Sequence, residues 1–215
     1  MDVSIVFDLD GTLIDSAPDI QGIANALLAR EGKKPISLAE TRGFVGDGAG
    51  VFVSRMRAAR GIEDAAQDRL LADFTRAYET AVTLTHPYPG VPQVLSDLRD
   101  AGARLGICTN KPIHPTRAVL AHLGLADLFE TVLGGDSLPV RKPDPTPLIA
   151  AFDAMGGTRR VYVGDSDVDA ETAARAAVPF FLFTEGYRKS AVEDLPHTAS
   201  FNDFAALPDL IRAVK

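Results

Sequence analysis

Asp8-Leu9-Asp10-Gly11-Thr12 is the segment from which the architecture of this chain can be worked out. It follows the mostly apolar run 3–7, whose composition predicts a short buried strand. Two carboxylates two positions apart, where a strand ends in a glycine turn, suit a metal-assisted attack on a phosphoryl group. One carboxylate can be the nucleophile, and the other can act as general acid and base.

Three further segments downstream carry polar side chains next to predicted strands. They are Cys108-Thr109-Asn110-Lys111, Arg141-Lys142-Pro143-Asp144 and Gly164-Asp165-Ser166-Asp167-Val168-Asp169. Ligands of parallel α/β sheets bind beyond the carboxyl ends of the strands. Because each of the four segments follows a predicted strand, we expect them to meet at one edge of a sheet.

Apolar runs alternate with amphipathic stretches from residue 91 onward. Strands are predicted over 104–108, 131–133, 161–163 and 180–183, and helices over 92–100, 114–123, 147–155 and 167–177. This alternation favours an α/β fold, with a doubly wound parallel sheet and helices on both of its faces.

Residues 16–86 have a different pattern, with apolar residues at helical spacing and no convincing strand. Helix starts are predicted at Ser16 and Ser37, each of which begins a sequence of the capping-box form. The proline-rich stretch 87–90 marks the return to alternating elements. We therefore expect an all-helical insertion over 16–86, after the first strand of an α/β core that comprises residues 1–15 and 87–215.

The chain of 215 residues carries a net charge of −7 and no dense run of Lys and Arg. Nucleic acid and anionic membranes are therefore not expected as partners. No signal-like segment and no apolar run of membrane-spanning length occurs, and the single cysteine excludes an intrachain disulfide. These features predict a soluble cytoplasmic protein, either a monomer or a homodimer.

The four motifs, in this order, resemble those of the haloacid dehalogenase-like hydrolase superfamily over nearly the whole chain. The resemblance implies a Rossmann-like core, with the helical insertion forming a mobile cap over the active site. Asp10 points to the phosphatase branch, because dehalogenases and phosphonate-cleaving relatives of the superfamily lack this second carboxylate.

The resemblance assigns catalytic roles to three charged residues. Asp8 would attack the phosphorus of a phosphate ester and form an aspartyl-phosphate, which water then hydrolyses. Asp10 would protonate the leaving alkoxide and later accept a proton from the attacking water. Lys142 would supply the positive charge that keeps Asp8 ionised beside the substrate dianion.

Further positions are expected to bind the phosphoryl group. Thr109 and Asn110 can donate hydrogen bonds from a hydroxyl, an amide and backbone N–H groups. Gly11 and Thr12 can present backbone N–H groups to the phosphate oxygens. We expect Lys111 and Arg141, by contrast, to be solvated; the alternative is that they steer phosphate.

Mg²⁺ is the metal that the resemblance implies, and it prefers oxygen ligands in octahedral geometry. Asp8, the backbone carbonyl of Asp10 and Asp165 are the expected ligands. Asp169, one helical turn beyond Asp165, is expected to lie behind these ligands and to orient a water molecule or Lys142.

Within the predicted cap, the segment 41–48 contains the pattern Arg-x-x-Val-Gly-x-Gly, which resembles the caps of phosphoglycolate phosphatases. That resemblance implies that Arg42 pairs with a substrate carboxylate and that Gly46 and Gly48 form a loop that receives an anion. The residue types alone favour a plain helix–helix turn with a solvated arginine.

We therefore expect a Mg²⁺-dependent phosphomonoester hydrolase that acts on a small phosphorylated metabolite, with 2-phosphoglycolate as the favoured substrate. A sugar-phosphate phosphatase, a nucleotidase, a pyrophosphatase and a β-phosphoglucomutase-like transferase would use the same core. The non-enzymatic alternative is an inactive regulatory or binding subunit. Such a subunit has no need for Asp8, Asp10, Thr109, Lys142 and Asp165 together.

Overall fold

The computed structural model describes residues 2–213; Met1, Val214 and Lys215, at the ends of the predicted core segments, lie outside the described residues. In chain order the strands and helices are β1 (Val3–Phe7), β2 (Ile14–Asp15), α1 (Ala17–Arg30), α2 (Leu38–Phe44), α3 (Ala49–Ala59), α4 (Gln67–Tyr78), β3 (His86–Pro87), α5 (Val91–Asp100), β4 (Arg104–Cys108), α6 (Ile113–His122), β5 (Thr131–Leu133), α7 (Thr146–Met155), β6 (Arg159–Gly164), α8 (Asp167–Ala176), β7 (Phe180–Phe183), β8 (Ala199–Phe201) and α9 (Leu207–Ala213). Within residues 2–213, no helix has the length and the apolar character needed to cross a membrane.

Six strands form one parallel sheet in the order β5-β4-β1-β6-β7-β8. The central strand β1 pairs with β4 on one side and with β6 on the other, and Phe7 lies opposite both Ile107 and Val163. Because these three strands end at nearly the same level, the residues that follow them emerge side by side. The predicted doubly wound α/β fold is confirmed.

The side chains of β1 alternate between the two faces of the sheet, as the period of a strand requires. Ile5 and Phe7 pack with α5, α6 and α9 on one face, whereas Val6 packs with α7 and α8 on the other. All three side chains are fully buried, so packing from both sides fixes β1. The next residue, Asp8, is thereby held in a defined position.

Helices α1 to α4 form the helical insertion that the sequence predicts after the first strand, and they enclose a hydrophobic core of their own. Leu28, Phe52, Phe74 and Tyr78 contribute large side chains to it. The ring centroids of Phe52 and Phe74 lie 5.1 Å apart, within the range of favourable aromatic pairs. The insertion therefore has a hydrophobic core separate from that of the sheet, as a domain does.

The two predicted capping boxes have different outcomes. Ser37 accepts a hydrogen bond from the backbone N–H of Glu40 at 3.1 Å, and the Glu40 carboxylate accepts one from the backbone N–H of Ser37 at 2.8 Å, so this box is confirmed. Ser16 makes no capping bond at the start of α1, and that prediction is wrong. Its backbone lies in the right-handed helical region (φ −97°, ψ −4°), whereas a capping residue is typically extended, and its hydroxyl donates to Asp10 Oδ1 at 2.6 Å.

The two chain segments that join the helical insertion to the sheet pair as a short antiparallel ribbon. Ile14 of β2 lies opposite Pro87 of β3, and Asp15 lies opposite His86. The sequence does not predict these strands, because two residues are too few for an alternating pattern to be visible. The ribbon ties the start of the insertion to its end.

Candidate active site

Four predicted site residues converge at the carboxyl edge of the sheet. Asp8 follows β1, Thr109 follows β4 and Asp165 follows β6, while Lys142 comes from the loop between β5 and α7. At most 7% of the surface of each residue is exposed. The strand order therefore brings together residues that are far apart in the sequence, in a place that solvent hardly reaches.

Lys142 lies between two carboxylates. Its Nζ atom is 2.8 Å from Asp8 Oδ1 and 2.6 Å from Asp169 Oδ1. It also donates to the Tyr162 hydroxyl at 2.9 Å, and that hydroxyl donates to Asp169 Oδ1 at 2.6 Å. Although burial disfavours the charged amine, Asp169 and Asp8 raise the pKa of Lys142 above its ordinary value. Lys142 therefore stays protonated beside Asp8.

Asp8 and Asp169 share this cation unequally. Burial raises the pKa of Asp8 to about 6; Lys142 opposes the shift, while Asp169 and Asp10 add to it. Asp169 is also buried, yet Lys142 lowers its pKa below the ordinary value. Asp169 thus keeps its charge and positions Lys142, whereas Asp8 is the less stabilised and more reactive carboxylate.

The turn after β1 and the loop after β7 hold Asp165 from two sides. The Thr12 hydroxyl donates to Asp165 Oδ1, and the backbone N–H of Tyr187 donates to Asp165 Oδ2, both at 2.6 Å. Gly11 has a φ of +89°, and a Cβ atom there would lie 2.5 Å from Asp165 Oδ2. A glycine is therefore required beside the carboxylate, both for the backbone conformation and for space.

The buried carboxylates form a site that fits a divalent cation. Asp8, Asp165 and Asp169 each offer an oxygen, and these atoms lie within 4.8 Å of one another. Burial, together with Asp169 and Asp8, raises the pKa of Asp165 well above its usual range, as expected where negative charge is in excess. Oxygen donors in such surroundings suit a hard cation. Asp169 accepts five hydrogen bonds, whereas Asp8 accepts one and Asp165 accepts two. Asp8 and Asp165 are therefore the carboxylates more available to the ion.

Asp10 lies above Asp8, on the side of the helical insertion. Its Oδ1 atom accepts from the Ser16 hydroxyl at 2.6 Å and lies 3.3 Å from Lys111 Nζ. Its Oδ2 atom is 3.4 Å from the Tyr78 hydroxyl. Asp10 is therefore surrounded by groups of the helical insertion and of the sheet edge that can donate a proton or a hydrogen bond.

The expectation that Lys111 is solvated is wrong. Only 6% of its surface is exposed, and its Nζ atom contacts Asp10 and the Tyr78 hydroxyl. Burial lowers the pKa of Lys111, while Asp10 opposes that shift. Helix α4 covers the lysine through Tyr78, 33 residues away in the sequence. The one local signal was its place directly after the motif residues at the carboxyl end of β4.

The predicted phosphate contacts of Gly11 and Thr12 are also wrong. Their backbone N–H groups donate within the turn, to Ile14 at 2.8 Å and to Leu9 at 3.2 Å. Among the residues that the structure describes, the N–H groups of Leu9 and Asp10 donate no backbone hydrogen bond. These two groups, one position earlier in the motif, are available to a phosphate.

Thr109 and Asn110 have different surroundings. The Thr109 hydroxyl accepts from the backbone N–H of Lys111 at 3.3 Å, which leaves its own hydrogen free for a ligand. The side-chain amide of Asn110 donates to the backbone carbonyls of Gly46 and Lys142, each at 3.0 Å. The side chain of Asn110 therefore joins the loop after α2 to the core, and the predicted phosphate contact of Asn110 is left to its backbone N–H group.

Arg42 does not reach the site where the sequence predicts a substrate carboxylate. Its guanidinium pairs with Asp15 Oδ2 at 2.7 Å, and 42% of its side chain is exposed. Arg42 lies in the last turn of α2, and its pairing with Asp15 places its guanidinium at the β2–β3 ribbon. Gly46 and Gly48 do lie at the cavity, so the structure brings only part of this motif to the site.

A cavity separates the helical insertion from the sheet edge. The core side contributes Asp8, Asp10, Thr109, Asn110, Lys111 and Pro112, and the insertion contributes Ile20, Val45, Gly46, Gly48, Ala49, Phe52, Phe74 and Tyr78. The floor is thus polar and charged, whereas most of the roof is apolar. Such a cavity suits a small molecule whose charged end points toward the sheet.

Comparisons with known proteins agree with this geometry. Residues 4–177 match the family model of haloacid dehalogenase-like hydrolases, and the chain belongs to this family. It is 49% identical over 211 residues to a phosphoglycolate phosphatase of Cereibacter sphaeroides, with 97% of both chains covered. It is 41% identical to a phosphoglycolate phosphatase of Rhodospirillum rubrum, with 97% of this chain and 90% of that one covered.

Solved structures show the same architecture. The crystal structure of a predicted phosphoglycolate phosphatase from Haemophilus somnus superposes with a TM-score of 0.90. The two chains are 28% identical, and the match covers 98% of this chain and 99% of the other. The similarity therefore includes the sheet, the helical insertion and their arrangement.

Proposed function

We propose that this protein is a Mg²⁺-dependent phosphatase that hydrolyses 2-phosphoglycolate through an aspartyl-phosphate. The observation that carries the proposal is the position of Asp8, which lies 2.8 Å from Lys142 at the floor of the cavity. The names of the relatives support the choice of substrate. The apolar residues of the roof, such as Phe52 and Phe74, offer no partners for the hydroxyl groups of a sugar or a nucleoside.

The first chemical step forms a bond between an Asp8 oxygen and the phosphorus, and breaks the bond between the phosphorus and the ester oxygen. Asp10 gives its proton to the departing glycolate oxygen, and Thr109 donates a hydrogen bond to a phosphoryl oxygen. In the second step Asp10 takes a proton from a water molecule, which attacks the phosphorus and releases inorganic phosphate. Asp8 leaves as a carboxylate that Lys142 stabilises.

Asp8 and Asp165 would hold Mg²⁺, and the backbone carbonyl of Asp10 is the further ligand that the sequence predicts. When bound, the ion supplies positive charge that offsets the carboxylates and the phosphoryl oxygens. Asp169 contributes indirectly, because it fixes Lys142 at 2.6 Å and thereby positions the charge beside Asp8.

Residues 16–86 would act as a cap that moves over the core residues 1–15 and 87–215. A separate hydrophobic core supports this assignment, as does the narrow connection through β2 and β3. Asn110 reaches Gly46 of the cap at 3.0 Å, and Lys189 of the core reaches Asp47 at 3.2 Å. These contacts fit a closed arrangement in which the cap excludes water from the ester.

Phosphate release from a panel of esters tests the proposal. We expect kcat/KM with Mg²⁺ to be at least about tenfold higher for 2-phosphoglycolate than for sugar phosphates, nucleotides or pyrophosphate. A preference for another ester would keep the mechanism and reject the substrate. No release from any ester, with bound metal verified, would reject both and favour a transferase or an inactive binding subunit.

Acidification should weaken metal binding. A cation must displace the protons on Asp8, whose pKa burial raises to about 6, and on Asp165, whose pKa is also raised. We expect the Mg²⁺ affinity, measured by titration calorimetry, to fall about tenfold or more for each pH unit below about 6. Asp8→Asn should make this dependence shallower. An affinity that is equal on both sides of this pH would show that Asp8 does not bind the ion.

A further inference from the structure

A substrate such as 2-phosphoglycolate brings two anionic groups into one small cavity. Lys142 and the proposed metal ion account for the phosphoryl group, but they leave the carboxylate without a partner. Burying an unpaired carboxylate under an apolar roof would be costly. The site must therefore supply a second cation, at a short distance from the phosphoryl group.

Among the described residues that line the cavity, Lys111 is the sole cation. We propose that Lys111 binds the substrate carboxylate and that it selects small phosphate esters that carry a second anionic group next to the ester carbon. This inference rests on the proposed function. It assigns the substrate specificity of the proposed phosphatase to Lys111.

The position of Lys111 relative to Asp10 agrees with the chemistry of this substrate. Asp10 must touch the leaving oxygen, because it protonates that atom. In 2-phosphoglycolate a single methylene group joins the leaving oxygen to the carboxylate. The carboxylate must therefore lie close to Asp10, and Lys111 Nζ is 3.3 Å from Asp10 Oδ1.

The surroundings of Lys111 would make its interaction with an anion strong. The side chain is 2% exposed, and Phe74 and Tyr78 of α4 line the same cavity. Charge interactions are stronger when water is excluded from both partners. The Tyr78 hydroxyl, in contact with Lys111 Nζ, can hold the ammonium group in place or donate to the carboxylate.

Arg42 is the rival residue, because the pattern in its loop resembles that of phosphoglycolate phosphatases. Its guanidinium pairs with Asp15 at 2.7 Å and does not line the cavity. A partly exposed arginine that already has a carboxylate partner gives little discrimination between two small esters. Arg42 therefore serves as the matched control for Lys111.

The test compares 2-phosphoglycolate with ethyl phosphate, in which a methyl group replaces the carboxylate. In Lys111→Met we expect the ratio of the two kcat/KM values to fall about 100-fold, mainly through a higher KM for 2-phosphoglycolate. Any effect of Lys111 on Asp10 applies to both esters and cancels in the ratio. Arg42→Met should leave the ratio unchanged.

Binding measurements cover the case in which Lys111→Met is folded but inactive. 3-Phosphonopropionate and propylphosphonate lack the scissile ester oxygen, and only the first carries a carboxylate. Calorimetry should show that the wild-type protein prefers 3-phosphonopropionate and that Lys111→Met has lost this preference. The higher polarity of glutamine makes Lys111→Gln the second variant if Lys111→Met does not fold.

The outcomes separate this inference from the proposed function. If the wild-type protein prefers 2-phosphoglycolate and Lys111→Met loses this preference over ethyl phosphate, the proposed function and the role of Lys111 are both supported. If both esters lose activity equally, Lys111 acts on Asp10 and its role in specificity is rejected, while the proposed function stands. If the ratio of the two kcat/KM values falls in Arg42→Met and not in Lys111→Met, Arg42 is the residue that recognises the substrate carboxylate. A wild-type protein that does not distinguish the two esters rejects the substrate and, with it, the role of Lys111.

Discussion

Asp8→Asn is expected to lower kcat for 2-phosphoglycolate by about 10⁴-fold or more. An amide is a poor nucleophile and cannot form the aspartyl-phosphate. The substitution also removes one of the two carboxylates that face the proposed metal ion. Asp8 Oδ1 lies 2.8 Å from Lys142 Nζ at this position. Rapid-quench measurement of phosphate release would record the loss. In the wild-type protein the same experiment should detect phosphate bound to the enzyme.

The fold should survive this substitution. Burial raises the pKa of Asp8 from 3.8 to about 6, so the folded protein binds a proton there more tightly than the unfolded chain does. Ionised Asp8 therefore reduces stability above pH 6, and this effect disappears as the pH falls toward the unfolded pKa. Near neutral pH, without metal, Asp8→Asn should unfold at a temperature equal to or higher than that of the wild type.

Asp97→Asn, at an exposed position of α5, provides the matched control and should retain both turnover and stability. If a correctly folded Asp8→Asn protein releases phosphate at a nearly normal rate, the aspartyl-phosphate mechanism must be abandoned. In that case Asp8 would be at most a metal ligand, and water would attack the ester directly.

The framework of the site could be predicted from the sequence because it depends on local patterns. The predicted strands over 3–7, 104–108, 131–133 and 180–183 have these same bounds in the structure. Each is a short run rich in apolar residues, which the core buries fully in three of the strands and partly in the edge strand 131–133. Once the strands are parallel, the residues after them must share one edge of the sheet. That is why Asp8, Thr109 and Asp165 are adjacent.

The surroundings of the site could not be predicted, because they depend on distant partners. Lys111 is buried only because α4 places Tyr78 over it, and Arg42 is drawn away by Asp15 of a two-residue strand. The N–H group of Gly11 is used by Ile14 within the turn, a detail of backbone geometry that residue types do not encode. The positive charges of Lys111 and Arg42 could not, by themselves, predict which of the two side chains faces the cavity.

Lys142→Met is expected to have the largest effect on stability, about 3 to 5 kcal/mol in the absence of metal. Methionine keeps the apolar stem of lysine without the ammonium group. Asp8 and Asp169, now 2.8 Å and 2.6 Å from Lys142 Nζ, are then buried without their shared cation. Urea denaturation in the presence of a chelator would measure the loss. Saturating Mg²⁺ should restore part of it, because the ion offsets the carboxylate charge and binds only the folded protein.

The double variant Lys142→Met/Asp169→Asn separates charge from packing. Removing the negative charge of Asp169 should recover much of the stability that Lys142→Met loses, but it should not recover the activity. Without Lys142 the pKa of Asp8 should rise above its present value of about 6, so a larger fraction of Asp8 is protonated at a given pH and turnover should increase as the pH is raised. If Lys142→Met is as stable as the wild type in chelator, the buried carboxylates are already neutral. Lys142 would then have no role in keeping Asp8 ionised.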